Sequence, residues 1–155
     1  MVIFMFGWFS KGKMDIKIHK FNYTPGETIT GTVMMNLKKP LEGRGVYIRL
    51  LGTEQITEGY GKNRRTRTIT IFNFKQPLDG EKTYTSSPLM YDFEIMIPED
   101  IFHKPQSPEL EGVLGTALKA AEFLSKKRST IRWHLIANLD VPGFDLKKKL
   151  QINIA

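Results

Sequence analysis

The sequence contains no cysteine, so disulfides, thiolate metal sites and a cysteine nucleophile are excluded outright. Small secreted domains often depend on disulfides, and their absence makes an intracellular, cytoplasmic setting the expectation. Histidine is nearly as scarce. His19, His103 and His134 are isolated from one another, with no HxH or HExxH spacing to seat a metal. There is no serine-nucleophile motif and no glycine-rich phosphate cradle following a strand. Asp92 and Glu94 share a strand face and have the chemistry of an acid–base pair, but alternating polar positions on an exposed face produce the same pattern. No enzyme, cofactor or metal is therefore expected. Long apolar runs are also missing. Met1 to Phe9 is the longest and falls short of the roughly 20 residues of a membrane span. No basic residue precedes it and no small-residue cleavage pattern follows, so a signal peptide is not expected.

What is present suffices for a core. The 155 residues are 41% hydrophobic, with ten Phe, five Tyr and two Trp. That is room for one domain and excludes a wholly disordered chain. The net charge of +7 is unevenly placed: residues 1–75 hold 13 basic and 5 acidic side chains, residues 76–155 hold 10 and 11. A basic balance admits nucleic acid, anionic membrane and phosphorylated or acidic proteins as partners.

Most of the chain alternates with the period of a strand. Met14, Ile16 and Ile18 share one face, with Asp15, Lys17 and His19 opposite. Tyr23-Thr24-Pro25-Gly26-Glu27 reads as a turn, because proline presets φ and the following glycine accepts a positive one. Ile29, Gly31, Val33, Met35 and Leu37 then make a half-buried strand, ended by Lys38-Lys39-Pro40. Val46, Ile48 and Leu50 open a third, in which Gly52 suits a bulge or a close approach. A loop is expected from Glu58 to Arg65 and a strand from Thr66 to Phe74. Its apolar phase shifts from Ile69 and Ile71 to Phe72 and Phe74, which predicts a bulge or burial on both faces. Pro77 to Gly80 reads as a turn. Leu89 to Ile97, Ile131 to Val141 and Leu150 to Ile154 complete seven strands. This pattern predicts an all-β fold, an immunoglobulin-like antiparallel β-sandwich. One segment departs from it: Leu110, Val113, Leu114, Ala117, Leu118, Ala121 and Leu124 recur at helical spacing. Ser107 as N-cap and Pro108 at the first turn predict an inserted α-helix over 108–126.

Three stretches, in order and spacing, resemble the N-terminal half of arrestin-like proteins. They are Tyr23-Thr24-Pro25-Gly26-Glu27-Thr28-Ile29-Thr30-Gly31-Thr32-Val33 with Arg44-Gly45-Val46-Tyr47-Ile48-Arg49-Leu50-Leu51-Gly52; Tyr91-Asp92-Phe93-Glu94-Ile95-Met96-Ile97-Pro98; and Ile131-Arg132-Trp133-His134-Leu135-Ile136-Ala137-Asn138-Leu139-Asp140-Val141. The style is that of the short prokaryotic relatives, which include sporulation-control proteins. The resemblance covers about residues 14–154. It implies a non-catalytic sandwich used for protein–protein interaction, with a domain over 14–155 behind an aromatic tail at 1–13. It also implies structural roles for the matched residues: Gly31 and Gly52 permit backbone proximity, and Trp133 fills the core.

Two candidate surfaces emerge. Lys62, Arg64, Arg65 and Arg67 crowd a hairpin with no acidic residue between Gly59 and Leu78. Such a tip suits phosphate or carboxylate groups on a partner, although charged residues also simply blunt an edge strand. Lys147-Lys148-Lys149 is expected to precede the final strand and to be solvated. Phe4, Phe6, Trp8 and Phe9 form an aromatic tail that either folds back on the domain or supports association. The expected function is a non-enzymatic scaffold or adaptor binding a protein partner of unstated identity through sandwich edges and loops. Edge pairing between copies is a route to a homodimer. The competing reading is a basic electrostatic module for nucleic acid or anionic membrane lipid.

Overall fold

The computed structural model describes residues 11–102 and 128–155, and these form ten strands. The helix expected over 108–126 and the aromatic residues Phe4, Phe6, Trp8 and Phe9 lie outside the described residues. One sheet has the order β1 (Gly12–Ile18), β3 (Thr28–Leu37), β8 (Leu89–Met96). The second has the order β2 (Asn22–Tyr23), β10 (Phe144–Ile154), β9 (Arg128–Val141), β5 (Gly45–Glu58), β6 (Arg65–Asp79). A two-stranded ribbon pairs β4 (Leu41–Gly43) with β7 (Lys82–Tyr84). The first strand starts at Gly12, two residues before the boundary expected from sequence.

The expected β-sandwich is what forms. Met14, Ile16, Ile29, Val33, Met35, Phe93 and Ile95 from the smaller sheet share one core with Val46, Ile48, Leu50, Trp133, Leu135 and Leu139 from the larger. Each strand contributes alternate residues, as a sheet with one dry face requires. The turn before β3 also takes its expected form. The Glu27 N–H donates to the Thr24 carbonyl at 3.1 Å, and Gly26 sits at φ 90°, where a side chain is strained. The Thr24 hydroxyl donates to Glu27 Oε1 at 2.7 Å, and Lys20 pairs with the same carboxylate.

Gly52 is where the larger sheet and its core are most tightly matched. It lies opposite Trp133 of β9, and a Cβ there would overlap the six-membered part of the indole. Trp133 is 1% exposed and packs against Phe72 at a ring-centroid distance of 6.0 Å. Beside this contact the β5–β6 register shifts: Gly52 pairs with Phe72 and Thr53 with Thr70, leaving Ile71 as the extra residue. This is the bulge announced by the phase change in the apolar pattern. It lets the consecutive residues Ile71 and Phe72 both pack against the core.

Several details differ from the sequence expectation. Pro77 to Gly80 is not a turn from its first residue; β6 continues through Pro77 to Asp79. Pro77 is accommodated because β6 is an edge strand and the register shifts again there, between Val46 and Tyr47. The Lys147-Lys148-Lys149 run does not precede the last strand but lies inside β10. One pairing is parallel rather than antiparallel: β2 runs beside the end of β10, with Asn153 opposite Asn22 and Ile154 opposite Tyr23. Three of the ten strands have only two or three residues, too few for an alternation to register.

The two sheets are pinned together at the end of β6. The Tyr91 hydroxyl of β8 donates to Asp79 Oδ2 at 2.8 Å, Lys82 Nζ stands 2.8 Å from the same oxygen, and the Gly80 N–H donates to Oδ1 at 2.8 Å. Partial burial pushes the Asp79 carboxyl up, but the hydrogen bonds from Lys82, Tyr91 and Gly80 outweigh it and hold the group below its usual value. Burial and the Asp79 charge push the Tyr84 phenol nearby up to about 12.

Two outcomes follow from this packing. Gly52→Ala is expected to lower stability by about 1–3 kcal/mol through overpacking against the indole. In a Trp133→Leu background the same change should cost less, which urea unfolding of the four-member cycle reads directly. For Asp79 the depressed pKa means a contribution that is present in full above the ordinary value of 3.8 and is lost as pH falls below it. Thermal melts of wild type and Asp79→Asn should therefore differ at neutral pH and converge as pH falls below 3.8 and through the lowered folded-state value. A gap that stays constant through that range would mean the carboxylate charge has no part in pinning the sheets.

Candidate functional site

The β5–β6 hairpin brings the four basic residues singled out in the sequence to one tip. Gly59, at φ 86°, turns the chain out of β5, and a 3-10 turn over Gly61–Asn63 reverses it. The Asn63 N–H donates to the Tyr60 carbonyl at 2.9 Å and the Arg64 N–H to that of Gly61 at 3.3 Å. Lys62 sits in this turn, Arg64 follows it, and Arg65 and Arg67 begin β6. All four are exposed. Arg67 lies 3.6 Å from Glu58 Oε1, so part of its charge is offset within the hairpin. Among the described residues Lys62, Arg64 and Arg65 make no ion pair. The tip is thus a solvated cationic projection, with the exposed ring of Tyr60 beside it.

The same hairpin supplies the longest sheet edge. β6 ends the larger sheet, and among the described residues no strand pairs with its outer side. Every residue from Arg65 to Thr70 is exposed on both faces. Ile69 and Phe74 are exposed as well, so apolar side chains accompany the open backbone groups.

A second basic cluster went unrecognised in the sequence. On the outer face of the larger sheet, Arg49 of β5 lies opposite Lys75 of β6 on one side and Ile136 of β9 on the other. Ile136 in turn lies opposite Lys149 of β10. In the adjacent row Tyr47 faces Asn138, and Asn138 faces Lys147. These residues line a groove of about 320 Å³. The sequence signal was only that Tyr47, Arg49, Lys147 and Lys149 fall on the outward positions of alternating strands. Their meeting depends on register across four strands. His134, also on β9, registers the setting: burial first, then the Lys149 and Arg132 charges, hold its imidazole below the usual value of 6.5.

Of the residues considered for catalysis or metal binding, His103 lies outside the described residues, and Asp92 and Glu94 keep the shared face expected from sequence. Asp92 and Glu94 are exposed on β8, and Asp92 Oδ1 accepts a hydrogen bond from the Thr32 hydroxyl at 2.9 Å. Among the described residues no group of three or more His, Asp or Glu is placed to hold a metal. No helix among them is long and apolar enough to cross a membrane.

The family model for the arrestin (or S-antigen) N-terminal domain matches residues 13–102. That stretch runs from β1 through β8 and contains both the Pro25-Gly26 turn and the basic hairpin. Among solved structures the fold is similar to the crystal structure of Spo0M, the sporulation control protein of Bacillus subtilis, with a TM-score of 0.59 and 20% identity. The match covers 93% of this chain and 49% of that one, so the chain spans about half the length of the solved structure. No curated protein matches the sequence. With more than half of its residues matched by the domain model, the chain belongs to the arrestin N-terminal-domain family.

Proposed function

We propose that this protein is a non-enzymatic adaptor that binds a protein partner through its sandwich edges and loops, chiefly along β6 and the basic tip from which that strand starts. The observation that carries the reading is the edge itself: a 15-residue strand, open on its outer side among the described residues and solvent-exposed on both faces at its start. A partner strand added there gains backbone hydrogen bonds, while Lys62, Arg64, Arg65 and Arg67 favour acidic or phosphorylated flanking residues. The same edge in a second copy offers a route to a homodimer.

An electrostatic module for nucleic acid or anionic lipid would use the same cations differently. Among the described residues Tyr60 is the aromatic beside the tip to stack on a base, and the tip's charge is concentrated rather than tracked along a strand. Those features favour a protein partner.

Affinity capture from the native cell with wild type, and with Lys62, Arg64, Arg65 and Arg67 all changed to Ala, tests the reading. The wild type should retain a reproducible partner that the variant loses. Thermal melts should coincide within about 0.5 kcal/mol of stability, since all four side chains are exposed. Identical captures would retire the tip as a contact. In parallel, binding of duplex DNA and of anionic vesicles is followed from low to high salt. Tight binding at low salt that collapses steeply as salt rises would favour the electrostatic module over the adaptor.

A further inference from the structure

The outer-face groove has properties that sheet stability does not explain. Arg49 and Lys75 are direct cross-strand neighbours, an arrangement in which like charges repel. None of Arg49, Lys75, Lys147 and Lys149 takes part in the ion pairs found among the described residues, which engage Lys20, Arg44, Arg67 and Lys82 instead. One carboxylate, that of Asp145, lines the groove against these four cations. Lys75 is held in place by the Tyr47 ring, its Nζ 3.9 Å from the centroid. Arg49 Nε and Asn138 Oδ1 are both buried and have no hydrogen-bond partner among the described residues. Buried polar atoms are ordinarily satisfied, and two such atoms in one groove point to a ligand that satisfies them.

We propose that this groove is a binding site for a phosphate monoester, with the phosphoryl group on Arg49 and the lysines and a neighbouring hydroxyl of the ligand donating to Asn138 Oδ1. Arg49 presents Nε–H and the terminal amino groups as a fork that matches two phosphoryl oxygens. The lysines add point charges that suit a dianion, and Ile136 gives the floor an apolar patch for the carbon skeleton. The volume lies at the small end for ligand pockets and suits a compact ester or headgroup rather than a strand of nucleic acid. A free phosphate ester and a lipid headgroup ending in a phosphomonoester present the same chemistry. The site is separate from the hairpin tip and stands or falls independently of the adaptor reading.

Backbone amide NMR of the full chain, titrated with glycerol 3-phosphate and separately with inorganic phosphate, is the test. Saturable shifts centred on Arg49, Ile136, Asn138 and Lys149 are expected, with the ester binding more tightly. Arg49→Gln and Lys149→Gln should each weaken binding about tenfold or more, the loss of one charge-assisted contact. The alanine variant of Lys62, Arg64, Arg65 and Arg67 should bind as wild type does. Cosedimentation with phosphatidylcholine vesicles containing phosphatidic acid, lost in Arg49→Gln and absent with phosphatidylserine, would assign the ester to a lipid. Saturable binding of glycerol 3-phosphate without cosedimentation would assign it to a free molecule. The proposal is overturned by shifts that do not saturate, by shifts spread over every basic segment, or by Arg49→Gln binding like wild type. Tighter binding of a phosphoserine peptide than of glycerol 3-phosphate at the same residues would overturn the assignment to a small ester or lipid headgroup, in favour of a phosphorylated protein.

Discussion

The antiparallel pairing of β5 with β9 governs both faces of the larger sheet. Over thirteen consecutive pairs, from Gly45 opposite Asp140 to Thr57 opposite Arg128, apolar residues of both strands fall in step on the inner side. Val46, Ile48 and Leu50 meet Leu139, Ala137 and Leu135, and all six are fully buried. A slip of one residue in either strand would turn that strand's three to solvent and bring Arg49 or His134 inward. The register is locked by shape as well as polarity, because Trp133 needs a position opposite that has no Cβ, and Gly52 provides it.

The outer face follows from that same register with no further instruction. Once Ile48 and Leu50 point inward, Tyr47 and Arg49 must point out, and the same holds for Ile136 and Asn138 on β9. β10 then places Lys147 and Lys149 in the same two rows. The packing that excludes water from one side therefore concentrates cations on the other. At the far end of the hairpin this coupling lapses. Beyond the bulge, the first residues of β6 are exposed on both faces, so their side chains are released from core packing and the edge stays open.

The smaller sheet is attached through polar as well as apolar contacts. The shared core joins the two sheets over most of their length, but at the end of β6 a carboxylate receives hydrogen bonds from a tyrosine on β8, a lysine and a backbone amide. A group so engaged fixes how the sheets meet more narrowly than hydrophobic burial does, because hydrogen bonds are directional and apolar contact is not.

Much of this was legible in the chain itself. The alternations in β3, β8 and β9, the Pro25-Gly26 turn and the phase change at Ile71 and Phe72 each reflect a local rule, and each reappears in the structure. Less was legible where a residue's role depends on its neighbours in space. Pro77 read as a turn because proline lacks a donor, yet at an edge with a register shift the missing donor carries no cost. The lysine run read as solvated, and it is, but as a lead-in because its charges masked the strand; in β10 it lies beyond the two residues that β2 covers, along a side otherwise open among the described residues. The basic tip was found because its residues are adjacent in sequence; the basic groove was not, because its residues come from four strands. Alternation, turns and hence a two-layer β fold are written locally in the chain, since they depend on side-chain period and backbone preference over a few residues. Which strands lie side by side, and in what register, is settled by long-range packing. That choice gathers Arg49, Lys75, Lys147 and Lys149 into one groove, because cross-strand neighbours are set by long-range pairing and not by distance along the chain.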